Sequence, residues 1–227
     1  MKKIIFSFLF LVGLMTSLPL FAAGGNASSV KLTIYGVWLS ANGDCSDSVE
    51  ILNSTTGTEI DIMDSPTIAD HAITADVYKC LIIKMNDVVK FKPETTSGHC
   101  TAGVEVSLDT CKTTGSTASS KNPFTGATIT CSNSTDLATG DQLFLYVSRN
   151  AFCPDSITTG CDDPSTPPNA FLPPVEADDH LHGVTLQDNI TISADTIGNF
   201  IFNTNGKVGD DGSDCNMEPP VFGYRAD

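Results

Sequence analysis

Tyr78-Lys-Cys-Leu-Ile-Ile-Lys-Met85, then Asn86-Asp87, then Val88-Val-Lys-Phe-Lys92 is the run whose reading decides the fold. Its first part is apolar at both parities, as a strand covered on both faces must be. Its last part alternates, with Val89 and Phe91 on one side and Lys90 and Lys92 on the other. The two-residue connection between them predicts a hairpin with one wetted face.

Outward from this run the same period recurs. Val30-Lys-Leu-Thr-Ile-Tyr-Gly-Val-Trp-Leu39 is rich in β-branched and aromatic residues and stops at the turn signal Asn42-Gly43-Asp44, so it is predicted as a strand. Val49–Leu52 and Glu59–Ile62 are shorter strand candidates, with the turn-like Asn53–Gly57 between them. Asp64-Ser65-Pro66 has the order that caps a helix, proline at the first helical position, and predicts one short helix before Ala75-Asp76. Residues 101–140 hold sixteen Ser or Thr and read as a long decorated connection, stapled by Cys111 and Cys131. Leu143–Ser148 restores the strand pattern after Thr139-Gly140-Asp141. Residues 154–174 hold six of the twelve prolines, which excludes helix and predicts an exposed loop. Leu186, Asp188, Ile190 and Ile192, then Phe200 and Phe202, complete a set of eight or nine strands. With no βαβ alternation and no fixed repeat, the prediction is an all-β antiparallel β-sandwich, Greek-key-like, formed as a single domain by residues 24–227.

Residues 1–23 read as a secretory signal: Lys2 and Lys3, an apolar stretch from Ile4 to Met15, then small residues around Ala22 and Ala23. Ser7, Gly13, Thr16, Ser17 and Pro19 interrupt the stretch, so it falls short of a bilayer span. No cysteine stands at the cleavage point for a lipid anchor. The mature chain is expected without a membrane span, either secreted or held in the periplasm or at the cell surface. The Met-Lys-Lys opening is of a bacterial kind, so the sequons at Asn26, Asn53, Asn133 and Asn189 are read as chance in a Ser/Thr-rich chain.

The chain has 227 residues with 12 basic and 27 acidic side chains, a net charge of −15. An acidic chain with no Arg/Lys cluster excludes nucleic acid and anionic membranes as partners. Lys79, Lys84, Lys90 and Lys92 lie in the middle, whereas from residue 150 onward thirteen acids face only Lys207 and Arg225. This acidic end reads as a solubilising face, or more sharply as one that attracts cations. All eight cysteines, Cys45, Cys80, Cys100, Cys111, Cys131, Cys153, Cys161 and Cys215, lie beyond the signal, and an even count in an exported chain predicts disulfides. No C-x-x-C occurs, against a redox centre or zinc ribbon. Cys153 and Cys161 are close enough to staple one loop.

Two clusters carry ligating chemistry. On a strand, His180 and His182 would share a face, with Asp178 in line, offering two imidazoles and a carboxylate to Zn²⁺; a metal with an open position activates water. The plain alternative is a polar loop leaving the proline-rich segment. Asn203-Thr-Asn-Gly206 and Asp210-Asp-Gly-Ser-Asp214 offer oxygens of the kind Ca²⁺ takes, but the D-x-[DN]-x-[DN]-G spacing and its distal Glu are absent, which favours an acidic surface turn. Gly-x-Ser-x-Gly, Ser-x-x-Lys and nucleotide-binding fingerprints are absent from any useful context. Trp38 and the four tyrosines could stack on sugars, although Trp38 lies inside an apolar strand, which favours the core. The expectation is an exported, non-enzymatic β-protein with a surface, adhesion or ligand-binding role, its partner an extracytoplasmic ligand or envelope component. A metal-dependent hydrolase using Asp178, His180 and His182 is the alternative.

Overall fold

Val30, Leu32 and Ile34 point to one side of the first strand, and Val37 and Leu39 continue on that same side, which a strict two-residue period does not allow. A bulge between Ile34 and Gly36 supplies the change of parity. Trp38 therefore points to the opposite face, and its ring lies where a Cβ on Gly36 would be.

The computed structural model describes residues 24–64, 73–110, 112–113, 116–131, 140–148, 173, 184–193, 198–210 and 212–226. Its strands are β1 (Ala27–Ser40), β2 (Val49–Asp61), β3 (Asp76–Tyr78), β4 (Cys80–Asn86), β5 (Val88–Pro93), β6 (Val106–Asp109), β7 (Lys112–Thr113), β8 (Ser116–Lys121), β9 (Thr128–Cys131), β10 (Gln142–Ser148), β11 (Val184–Thr185), β12 (Ile190–Ile192), β13 (Gly198–Asn203), β14 (Val208–Asp210), β15 (Cys215–Met217) and β16 (Val221–Ala226). The all-β expectation holds, and the pairing among the described strands is antiparallel except between β10 and β11, with one further parallel bridge from Leu186 to Phe222. None of the described helices is long and apolar enough to cross a membrane.

β1 is the spine of a seven-stranded sheet. β2 runs antiparallel along one edge of it; Asn53 faces Gly36 and Thr58 faces Ile34, so Ser54 to Gly57 bulge outward, with Gly57 at φ +76°. The two short strands and the turn expected here are thus one element with a protruding middle. Ile62–Asp64 forms a single 3-10 turn with Ile62 buried. Residues 65–72, where most of the capped helix is predicted, lie outside the described residues.

The predicted hairpin at Asn86-Asp87 does not form. β4 pairs with the second half of β1, from Ile34 to Ser40, and β5 with its first half, from Ala27 to Lys31, both antiparallel on the same edge. The chain continues straight through Asn86-Asp87 because that dipeptide has no glycine for a tight hairpin turn and its groups are committed sideways. Asn86 Oδ1 accepts from Val88 N–H at 2.9 Å, Asp87 N–H donates to Asp141 O at 2.8 Å, and Asp87 C=O accepts from both N–H and Oγ1 of Thr110 at 2.9 Å. The outer edge accordingly has two neighbours: β10 along β4 and β6 along β5, parting at Asp87.

One face of this sheet holds Ile34, Leu39, Leu81, Ile83, Phe91 and Leu143. They pack in one buried cluster with Leu186, Ile190, Ile192, Phe200, Phe202 and Phe222, which come from the paired ribbons β3–β12 and β13–β16 and the bridge of Leu186 to Phe222. The alternation read at 200–203 is present, with Phe200 and Phe202 buried and Ile201 exposed. Phe202 and Phe222 meet edge to face at 4.5 Å, a geometry that adds about 0.5–1.5 kcal/mol to their burial.

The other face gathers Trp38, Cys45, Cys80, Ile82, Phe144 and Tyr146. Its cover comes from the Ser/Thr-rich segment, which is more than a connection: it supplies β6 to the sheet and the β8–β9 hairpin. Buried Ser120 accepts from Phe144 N–H at 2.9 Å and donates to Phe144 C=O at 3.2 Å, so one hydroxyl satisfies backbone groups that a further strand would otherwise pair. Tyr146 Oη donates to Lys121 C=O, and Phe124 lies 4.9 Å from the Trp38 ring.

Cys45 pairs with Cys80 and Cys100 with Cys215. Cys111 and the Cys153–Cys161 staple lie outside the described residues.

Candidate functional site

Where β1 begins, the chain is fastened to the turn between β13 and β14. Gly25 and Val208 bridge through N–H to C=O bonds in both directions, and Gly24 packs so closely on Gly206 that a Cβ there would overlap its backbone. Ala27 N–H donates to Thr204 Oγ1 at 3.1 Å and Gly206 N–H to Asn26 Oδ1 at 3.4 Å. The turn itself is local chemistry: Lys207 N–H donates to Thr204 O at 2.9 Å, Asn205 N–H to Asn203 Oδ1 at 2.9 Å, and Gly206 takes φ +72°. On the far side, Glu94 follows β5 and is held by Asn26 twice. Its N–H donates to Asn26 O at 2.9 Å, and its Oε2 accepts from Asn26 Nδ2 at 3.0 Å.

Beside these contacts an open cleft of about 430 Å³ lies between the start of β1, the 3-10 turn, the end of β5 and the β13–β14 turn. Asn26, Asn203 and Asn205 line it with amides, Asp64 and Glu94 with carboxylates, and Met63 and Phe202 give it an apolar wall. No Lys, Arg or His is among the described residues that line it. Its two hydroxyls are already engaged, Ser28 Oγ donating to Lys92 O at 3.3 Å and Thr204 Oγ1 accepting from Ala27 N–H. The arrangement offers planar groups with paired donors and acceptors, and no base beside a nucleophile.

Half of the oxygen-rich stretch singled out in the sequence, Asn203 to Gly206, therefore lines a cleft, whereas the other half does something else. Asp210 Oδ1 lies 2.8 Å from His99 Nδ1, and its Oδ2 accepts from His99 N–H at 3.0 Å. Its carboxylate occupies the space of a Cβ on Gly98, which has φ +56°. The bond from His99, and a second from Gly212 N–H, hold the Asp210 carboxyl below the ordinary range. Asp210 sits opposite Cys215 in the β14–β15 pair, so His99 and Asp210 clip the same loop that the Cys100–Cys215 bridge fixes. Asp178, His180 and His182 lie outside the described residues. Among the described residues, no three His, Cys, Asp or Glu side chains come together as metal ligands would.

Trp38, Tyr78 and Tyr146 are buried, so they offer no open stacking platform. In the sequence Asp64 reads as a helix cap and Asn26 as a chance sequon, Glu94 carries no signal, and none of the three is assigned to a site. Each stands alone between strand signals, and only the register that brings residues 26, 94 and 204 together makes them neighbours.

No protein-family model, curated protein or solved structure matches the chain.

Proposed function

We propose that the chain is an exported, non-enzymatic binding protein of the cell envelope or its exterior, with the cleft at the start of β1 as its ligand site. The observation that carries this reading is the convergence of three amides and two carboxylates, from four separate segments, on one cleft whose described lining holds no nucleophile–base pair. Groups of this kind fix the orientation of a small polar ligand. The two disulfides support the export half, since such bonds persist in oxidising compartments. A partner of the acidic chain is then a soluble or wall-borne molecule rather than nucleic acid.

A thermal-shift screen of the purified chain against monosaccharides, amino acids and polyamines tests the binding half. Hits are expected that disappear in Asn205→Tyr, whose ring would fill the cleft from a turn position. Hits that survive this substitution, or turnover of any compound by the protein, would contradict the reading.

A further inference from the structure

We infer that the cleft selects a small, hydroxyl-bearing organic cation, of which an amino sugar is the simplest case. The inference rests on the reading of the cleft as a binding site and adds its charge and ligand chemistry. Asp64 and Glu94 put two carboxylates on the lining, and none of the other described residues that line it is cationic. Glu94 is also the acid whose position is fixed, because Asn26 holds both its backbone N–H and one carboxylate oxygen, leaving Oε1 for a ligand ammonium. A concave wall of one sign raises the local concentration of opposite charge more than the same acids would on an open surface.

The hydroxyl half follows from the amides. Asn203 uses its Oδ1 on Asn205 N–H, so its Nδ2 is left to donate, and Asn205 presents its amide from the exposed corner of the turn. An amide beside a carboxylate supplies the donor and acceptor pair that adjacent hydroxyls require, which a simple alkylamine would leave unused. An anionic sugar would meet Asp64 and Glu94 with like charge.

The test is an NMR titration of the ¹⁵N-labelled mature chain at about pH 6 with glucosamine, glucose, glucuronate and lysine methyl ester as the four compounds. Glucosamine is expected to shift the amides of Asn26, Asn205 and Gly206, with an affinity about fivefold above that of glucose, and glucuronate to leave them in place. Glu94→Gln, which keeps an acceptor for Asn26, should abolish the preference, and raised salt should reduce it. Equal responses to glucosamine and glucose would overturn the charge inference while leaving the cleft a sugar site. A stronger response to lysine methyl ester than to glucosamine would overturn the hydroxyl half. No shift of the cleft amides with any of the four would overturn both the inference and the reading beneath it.

Discussion

Asp87 is a carboxyl group buried at a fork in a sheet, where its Oδ1 accepts from Asp141 N–H at 2.7 Å. Burial pushes its pKa up to about 6, and the Asp109 and Asp141 carboxylates push the same way against the pull of that hydrogen bond. An unfolded chain would hold it near 4, so the folded form binds the proton more tightly. Its contribution therefore favours folding in acid and is lost as the pH rises through about 6, a change of about 3 kcal/mol at full extent. Asp87→Asn is expected to raise the unfolding free energy at pH 7 by about 1–3 kcal/mol and to leave it unchanged near pH 4. Denaturant curves with the same pH slope for both proteins would refute this. Asp44, Glu59 and Asp210, held low by hydrogen bonds from Ser46, Lys90 and His99, act in the opposite sense, and only in acid below about pH 4.5. At Gly36 the space of a Cβ is filled by the Trp38 ring, so Gly36→Ala should cost about 1–3 kcal/mol by forcing that ring off its place, read as a lower denaturation midpoint.

Among the elements, β8 covers an edge with a side chain. Ser120 serves both backbone groups of Phe144, so Ser120→Ala is expected to destabilise by about 1–3 kcal/mol and to speed hydrogen exchange at the Phe144 amide above that of its neighbours on β10. An unchanged Phe144 exchange rate would show that the hairpin does not cap the edge. The sequence hid this role because residues 112–121 carry no apolar–polar alternation, and what the hairpin brings to that face is one hydroxyl, from Ser120, and one ring, Phe124. Strands buried by apolar period were legible: Val30–Leu39, Leu143–Ser148 and Phe200–Phe202 fall within strands, whereas Tyr78–Met85, read as one strand, is divided at Lys79, with Tyr78 ending β3 against β12 and Cys80–Met85 lying in β4. Pairing was not. The Asn86-Asp87 step reads as a reversal in one dimension, whereas in space it is a joint between two neighbours of one long run. The bulge at Tyr35-Gly36 is invisible to a two-residue period for the same reason, since it shows as a break in alternation rather than as a signal. Of the cleft, Asn203 to Gly206 was legible as an oxygen-rich turn, and Asp64, Glu94 and Asn26 were not, because long-range register alone assembles them.

Across the whole molecule, β1 sets the order: β2 along one side, β4 and β5 end to end along the other, and the ribbons that complete the core fastened at its start. Two cross-links tie distant parts to that plan. Cys45–Cys80 closes 35 positions and joins the loop after β1 to the start of β4; Cys100–Cys215 closes 115 and joins the loop after β5 to β15. By loop-closure entropy the first is worth about 4 kcal/mol and the second about 5, each as an upper value. Replacing Cys100 and Cys215 together with serine should therefore lower the denaturation midpoint more than replacing Cys45 and Cys80, and the reverse order would contradict that ranking. Non-reducing peptide mapping of the protein alkylated at harvest from the extracytoplasmic fraction tests this plan and export at once. The expected result is a chain cleaved near Ala23 with Cys45 linked to Cys80 and Cys100 linked to Cys215. Alkylated thiols at those four positions, other links among them, or a chain kept in the cytoplasm with Met1 in place would contradict it.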